Sequence, residues 1–143
     1  MTEHETYRQE LDARGIRPTS VRIMILRTMH MFDTAFSMSD IEQALDTVDK
    51  STVFRTLTLF AERHLIHDID DGSGAVKYSL CKGDSSPHDH MHVHFTCERC
   101  HKTVCIRNVQ APMVKLPAGF ALHDVNYVLK GLCPDCNKEQ TTY

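Results

Sequence analysis

The sequence predicts an α+β fold in two small units, and three observations carry that prediction. Apolar residues recur at helical spacing as far as about residue 64; the period then drops to two on either side of a Gly-rich turn; and most of the cysteines and histidines fall after residue 83. At 143 residues, 41% hydrophobic and 24% charged, the composition is that of an ordinary globular chain, long enough for one domain or two small ones.

Tyr7 to Arg14 reads as a short helix stopped by Gly15 and Pro18. Thr19 or Ser20 caps a second helix, Val21 to Met31, with Val21, Ile25, Leu26 and Met29 as its apolar stripe. Ser37 or Ser39 caps a third, in which Ile41 and Leu45 lie four apart. Asp49 or Ser51 opens a fourth: Val53, Leu57, Phe60 and Ala61 share one face, and Ser51, Thr52, Arg55 and Thr56 project elsewhere. Leu65 to Ile69 and Ala75 to Leu80 alternate like strands around the hairpin turn Asp70-Asp71-Gly72-Ser73-Gly74. Lys82-Gly83-Asp84-Ser85-Ser86-Pro87 has linker composition. The expected organisation is a first domain over 1–82, a hinge over 83–90 and a second domain over 91–143.

Short helices followed by a β-hairpin is the element order of a winged helix, whose last helix enters the DNA major groove while the wing lies near the backbone. The net charge of −3 excludes a polybasic tail, but local patches matter more than the total. Arg14, Arg17, Arg22 and Arg27 fall in an acid-free stretch, and Lys50, Arg55 and Arg63 form a second basic group. No apolar run approaches the roughly 20 residues of a membrane span, and the start lacks a secretory signal, so the expected location is the cytoplasm, with no membrane partner.

In a reducing compartment, paired cysteines point to metal rather than to disulfides. Cys97-Glu98-Arg99-Cys100 and Cys133-Pro134-Asp135-Cys136 are two C-x-x-C pairs separated by 32 residues, the pattern of a closed tetrahedral structural zinc site; two matched pairs favour zinc over a redox dithiol. His88, His90, His92 and His94 recur with period two and share one face if the segment is a strand. The bland alternative for His88 and His90 is a solvated loop. Taken singly, Cys81 and Cys105 read as small buried hydrophobes and His67 as a surface or satisfied histidine.

Joined together, Gly15-Ile16-Arg17-Pro18-Thr19 with Arg22, Ser51-Thr52-Val53-Phe54-Arg55-Thr56-Leu57, the wing, the histidine-rich hinge, and both C-x-x-C pairs with Gly131 before the second resemble the ferric uptake regulator (Fur) family of metal-responsive bacterial repressors. The resemblance implies an N-terminal winged-helix DNA-binding domain, a small C-terminal α/β dimerisation domain with structural zinc on Cys97, Cys100, Cys133 and Cys136, and a regulatory metal between the domains. It also implies a recognition helix from Ser51 to His64, Arg55 as its leading contact, and Arg17, Lys50, Ser51, Thr52, Phe54 and Thr56 as further DNA contacts. Phe54 stands where the family usually has Tyr, which removes a hydroxyl but keeps a ring able to meet a thymine methyl.

The regulatory site departs from the iron-sensing pattern: Ala35 or Phe36 replaces a His before the third helix and Ser79 a Glu near the end of the wing. A second site common in the family looks absent, since Val93 and Val125 stand where it needs ligands. What remains resembles the zinc uptake regulator (Zur) branch, with His67, Cys81, His92 and His94 as ligands and His88, His90 and Cys105 as possible additions. A thiolate with imidazoles suits Zn2+ better than iron or manganese. The expected function is a zinc-sensing dimeric repressor of a pseudo-palindromic double-stranded operator, with no small-molecule substrate. The rivals are an iron, manganese or peroxide sensor of the same family, a zinc store, and a zinc hydrolase, against which stands the lack of H-E-x-x-H and of a general base beside the histidines.

Overall fold

The computed structural model describes residues 2–80, 93–106, 109, 111–123 and 125–140. The expected hinge and the expected ligands Cys81, His88, His90 and His92 lie outside the described residues.

Helix α1 (Glu3–Ala13) starts four residues before the expected Tyr7 because Thr2 and Glu5 form a capping box, each side chain accepting the other's backbone N–H. It ends in a Schellman motif at Gly15, whose φ of 69° lets the Ile16 N–H reach the Leu11 carbonyl at 2.9 Å. Thr19 caps α2 (Ser20–His30), which buries Ile23, Ile25, Leu26 and Met29. A two-residue strand, β1 (Phe36–Ser37), precedes α3 (Met38–Ala44), where Ser37 and Asp40 form a second capping box. In α4 (Lys50–Glu62) Val53, Leu57 and Phe60 are fully buried, as the period predicts. Strands β2 (Ile66–Ile69) and β3 (Lys77–Leu80) form the wing, in a sheet ordered β1-β3-β2. One core cluster, from Leu11 to Ile66, binds these helices to the wing.

The second sheet is ordered β5-β4-β6 and is built from β4 (Val93–Cys97), β5 (Thr103–Ile106) and β6 (Tyr127–Gly131), with α5 (Pro134–Gln140) closing the described chain. Strand β4 runs antiparallel to β5 and parallel to β6. Residues 111–123, interrupted by Pro112 and Pro117, form neither helix nor strand. The α/β expectation for this unit is therefore met by a sheet with one terminal helix.

The two sheets meet through polar contacts. The Ala35 N–H donates to the Thr103 carbonyl at 2.9 Å, and the Asn126 side-chain amide donates to the Asp70 carbonyl at 2.8 Å. At the wing turn Asp71 is 6% exposed and pairs with Lys77 at 3.2 Å. Burial pushes the Asp71 carboxyl up, but hydrogen bonds from Ser73 and Lys77 outweigh it and bring the pKa down from 3.8 to about 2.

Leu57→Ala leaves a cavity at the centre of the first core and is expected to cost about 2–5 kcal/mol in urea unfolding. Because the Asp71 pKa is depressed on folding, its contribution is present above pH 3.8 and lost as pH falls through about 2. The stability difference between the wild type and Asp71→Asn should therefore shrink between pH 4 and pH 2, and a difference independent of pH would contradict the assignment.

Candidate metal centres and nucleic-acid interface

Parallel pairing of β4 with β6 sets Cys97 opposite Gly131 and so delivers the second C-x-x-C pair beside the first. A Cβ at Gly131 would stand 3.1 Å from the Phe95 ring, so any larger residue there would make the ring give by a few tenths of an ångström. The Glu98 N–H donates to the Gly131 carbonyl at 2.7 Å and locks the first knuckle to the end of β6. The reactive atoms of Cys97, Cys100, Cys133 and Cys136 all lie within 4.8 Å of one another, and Cys100 Sγ and Cys133 Sγ are 3.9 Å apart. A tetrahedral ion with metal–sulfur bonds of about 2.3 Å keeps its sulfurs about 3.8 Å apart, so this donor set fits zinc.

The cluster is also prepared electrostatically. N–H bonds from Cys100 and then Cys133 bring the Cys97 thiol down to about 5, while hydrogen bonding to Cys133 and burial push the Cys136 thiol up to about 12. A divalent cation bound here would draw the protons off these thiols.

Of the expected regulatory ligands, the described residues bring His67 and His94 together, and Cys105 is the register partner of His94 on β5. His67 sits on β2 in the wing sheet, His94 on the central strand β4 of the other, and their Nε2 atoms approach to 2.7 Å. An ion bonded to both at about 2.0–2.1 Å would hold the nitrogens about 3.3 Å apart, so the pair needs to open by only about 0.6 Å. Cys105 faces His94 across the antiparallel β4–β5 ladder, which puts both side chains on one face of the sheet. Cys105 also lines a cavity of about 300 Å³ with Ser79, Leu80, Phe32 and Ala35.

On the opposite side, Lys50, Ser51, Phe54 and Arg55 are exposed on the first turns of α4, with Phe54 55% exposed. The Ser51 hydroxyl donates to Asp49, and this bond holds the Asp49 carboxyl below its usual range. Thr52 is half-buried, and Arg17 is exposed at the foot of α2. Thr56 is 6% exposed and its hydroxyl donates to the Thr52 carbonyl at 2.7 Å, and it lines the groove between α2 and α4. Arg22, absent from the expected contacts, joins Arg55, Thr52 and Thr19 in lining a groove of about 340 Å³ between α2 and α4. The acid-free arginine stretch was the sequence signal for it.

No helix among the described residues is long and apolar enough to cross a membrane. Residues 13–126 match the ferric uptake regulator family. A ferric uptake regulation protein of Campylobacter jejuni is 30% identical over 146 residues, covering 95% of this chain and 89% of its own. A zinc uptake regulation protein of Mycobacterium tuberculosis is 25% identical over 134 residues, covering 88% and 98%. A zinc uptake regulator solved with zinc and DNA has the same fold, with a TM-score of 0.72 at 23% identity over 99% of both chains. The chain belongs to the ferric uptake regulator family, a family of metal-responsive transcriptional regulators.

Proposed function

We propose that the chain is a zinc-responsive, dimeric, cytoplasmic repressor that binds a pseudo-palindromic operator when metal-loaded. The observation that carries this reading is the convergence of His67 and His94 from different sheets to 2.7 Å. Ligands split in this way bind one ion only in one relative pose of the two halves, so metal occupancy selects that pose. Division into 1–82, a hinge over 83–90 and 91–143 suits such a device. Cys81 and His92 complete the ligand set, with Cys105, opposite His94, and His88 and His90 as possible additions.

Zinc, when bound, supplies four directed bonds to sulfur and nitrogen without redox change. The protein does the rest. Cys97, Cys100, Cys133 and Cys136 staple the C-terminal unit, and His67 ties the wing to His94. Arg17, Lys50, Ser51, Thr52, Phe54 and Arg55 face a duplex, with Arg22 added. Arg55 is suited to a guanine edge and the Phe54 ring to a thymine methyl. Dimerisation is supported by the apolar segment between β5 and β6, where Met113 is 86%, Phe120 69% and Val114 63% exposed. A second copy covering this surface would present two recognition helices to successive major grooves.

The 30% identity to a ferric uptake regulation protein favours iron as the second reading. Fluorescence anisotropy on the protein's own promoter DNA, at one salt concentration and across buffered free Zn2+ and anaerobic Fe2+, separates the two. Zinc alone should tighten binding about 5–150-fold, the usual span of such coupling. A response to iron alone overturns the choice of metal. His67→Ala should abolish the zinc response while leaving the metal on the four cysteines, as measured by metal content. Arg55→Ala should weaken operator binding by about 1–3 kcal/mol and relax preference at one base pair, which a base-substitution series would detect.

A further inference from the structure

A second interdomain device lies away from the histidine pair, where the wing meets the first cysteine knuckle. Lys77 opens β3 in the wing, and its ammonium has three protons to donate. Three acceptors surround it: Asp71 Oδ2 at 3.2 Å, the His101 carbonyl at 2.9 Å and Thr103 Oγ1 at 3.2 Å. Asp71 belongs to the wing turn, whereas His101 and Thr103 belong to the other unit. The ion pair is sheltered, with the two side chains 20% and 3% exposed. With Lys77 donating to Thr103, the Thr103 proton goes to Thr96 Oγ1, 2.9 Å away in the buried face of β4 and β5.

The acceptors are parts of the knuckle's frame. Thr96 immediately precedes Cys97, and His101 immediately follows Cys100. The His101 N–H donates to the Cys97 carbonyl and the Cys97 N–H to the Lys102 carbonyl, each at 2.9 Å, which closes the turn. His101 has a φ of 64°, in the left-handed region, and sits in the turn that these two bonds close. The direction of its carbonyl therefore depends on the knuckle holding its shape.

We infer that Lys77 is a positioning residue that couples the four-cysteine site to the pose of the wing: the closed knuckle aims the His101 carbonyl and the Thr103 hydroxyl at Lys77, and Asp71 holds the ammonium toward them. Metal on the four cysteines then favours the docked wing as well as the fold of the C-terminal unit. By reciprocity, a docked wing slows loss of that metal. This extends the proposed function and rests on the four cysteines holding a metal.

The test uses the full-length protein with Co2+ in the four-cysteine site, comparing the wild type with Asp71→Asn/Lys77→Met. The double variant avoids leaving a buried charge unpaired, and the side-chain carbonyl of the substituted asparagine can still accept the Ser73 N–H that Asp71 accepts at 3.0 Å. Two readouts are needed. Hydrogen exchange should become at least tenfold faster at the Ala35 amide and in the wing turn, with α1, α2 and α4 unchanged. Loss of the cobalt–thiolate absorption to a chelator should become about three- to tenfold faster. Faster exchange with wild-type metal release would make Lys77 a local packing group and overturn the coupling, as would wild-type exchange at Ala35. A wild type that gives no cobalt–thiolate spectrum overturns this inference together with the reading of the four cysteines as a metal site, whereas unchanged release overturns this inference alone.

Discussion

The two halves of the chain must meet in one pose before the histidine pair exists, and most of the architecture serves that constraint. His94 stands on the central strand of its sheet and is 3% exposed, so its ring is held by neighbours on both sides. His67 lies on an edge strand of the wing and is half-buried. One imidazole is thus part of a rigid wall and the other is delivered by whatever moves the wing. Helix α4, the proposed recognition helix, travels with His67, because β2 and α4 share the core that includes Leu57, Phe60, Leu65 and Ile66. A change in pose at the histidines is therefore a change in where Arg55 and Phe54 point.

The same constraint explains the distribution of apolar packing. The main core cluster runs from Leu11 to Ile66, wholly in the first half. Among the described residues from 93 onward, the buried hydrophobics are Val93, Cys97 and Cys136, two of them candidate ligands. A unit with so little apolar interior needs a staple, and a four-thiolate metal site supplies folding free energy directly. The polar contacts between the sheets, through Ala35, Lys77 and Asn126, suit a junction that docks and releases better than an apolar seam would.

Local chemistry made much of this legible in the sequence. The helices follow the apolar period, and Thr19, Ser37 and Asp49 occupy the N-caps among the residues expected there. The C-x-x-C pairs identify their own partners, because two matched dithiols leave little else to build. What was not legible depends on contacts distant in sequence. The strand β1 is two residues long and exists only because β3 pairs with it. Thr56 shares its helix with exposed contacts but is only 6% exposed, a matter of tens of degrees around the axis. Lys77 reads as an ordinary wing lysine until His101 and Thr103, 24 and 26 residues away, are brought beside it.

The central claim is that one ion shared between His67 and His94 and the DNA-binding pose are two sides of a single equilibrium. The most direct measurement is the Zn2+ affinity of the regulatory site, by competition with a chelator of known affinity, with and without saturating operator DNA. Operator DNA should raise zinc affinity by the same factor by which zinc raises DNA affinity. A zinc affinity unchanged by operator DNA would contradict the account, even if His67 and His94 proved to be ligands.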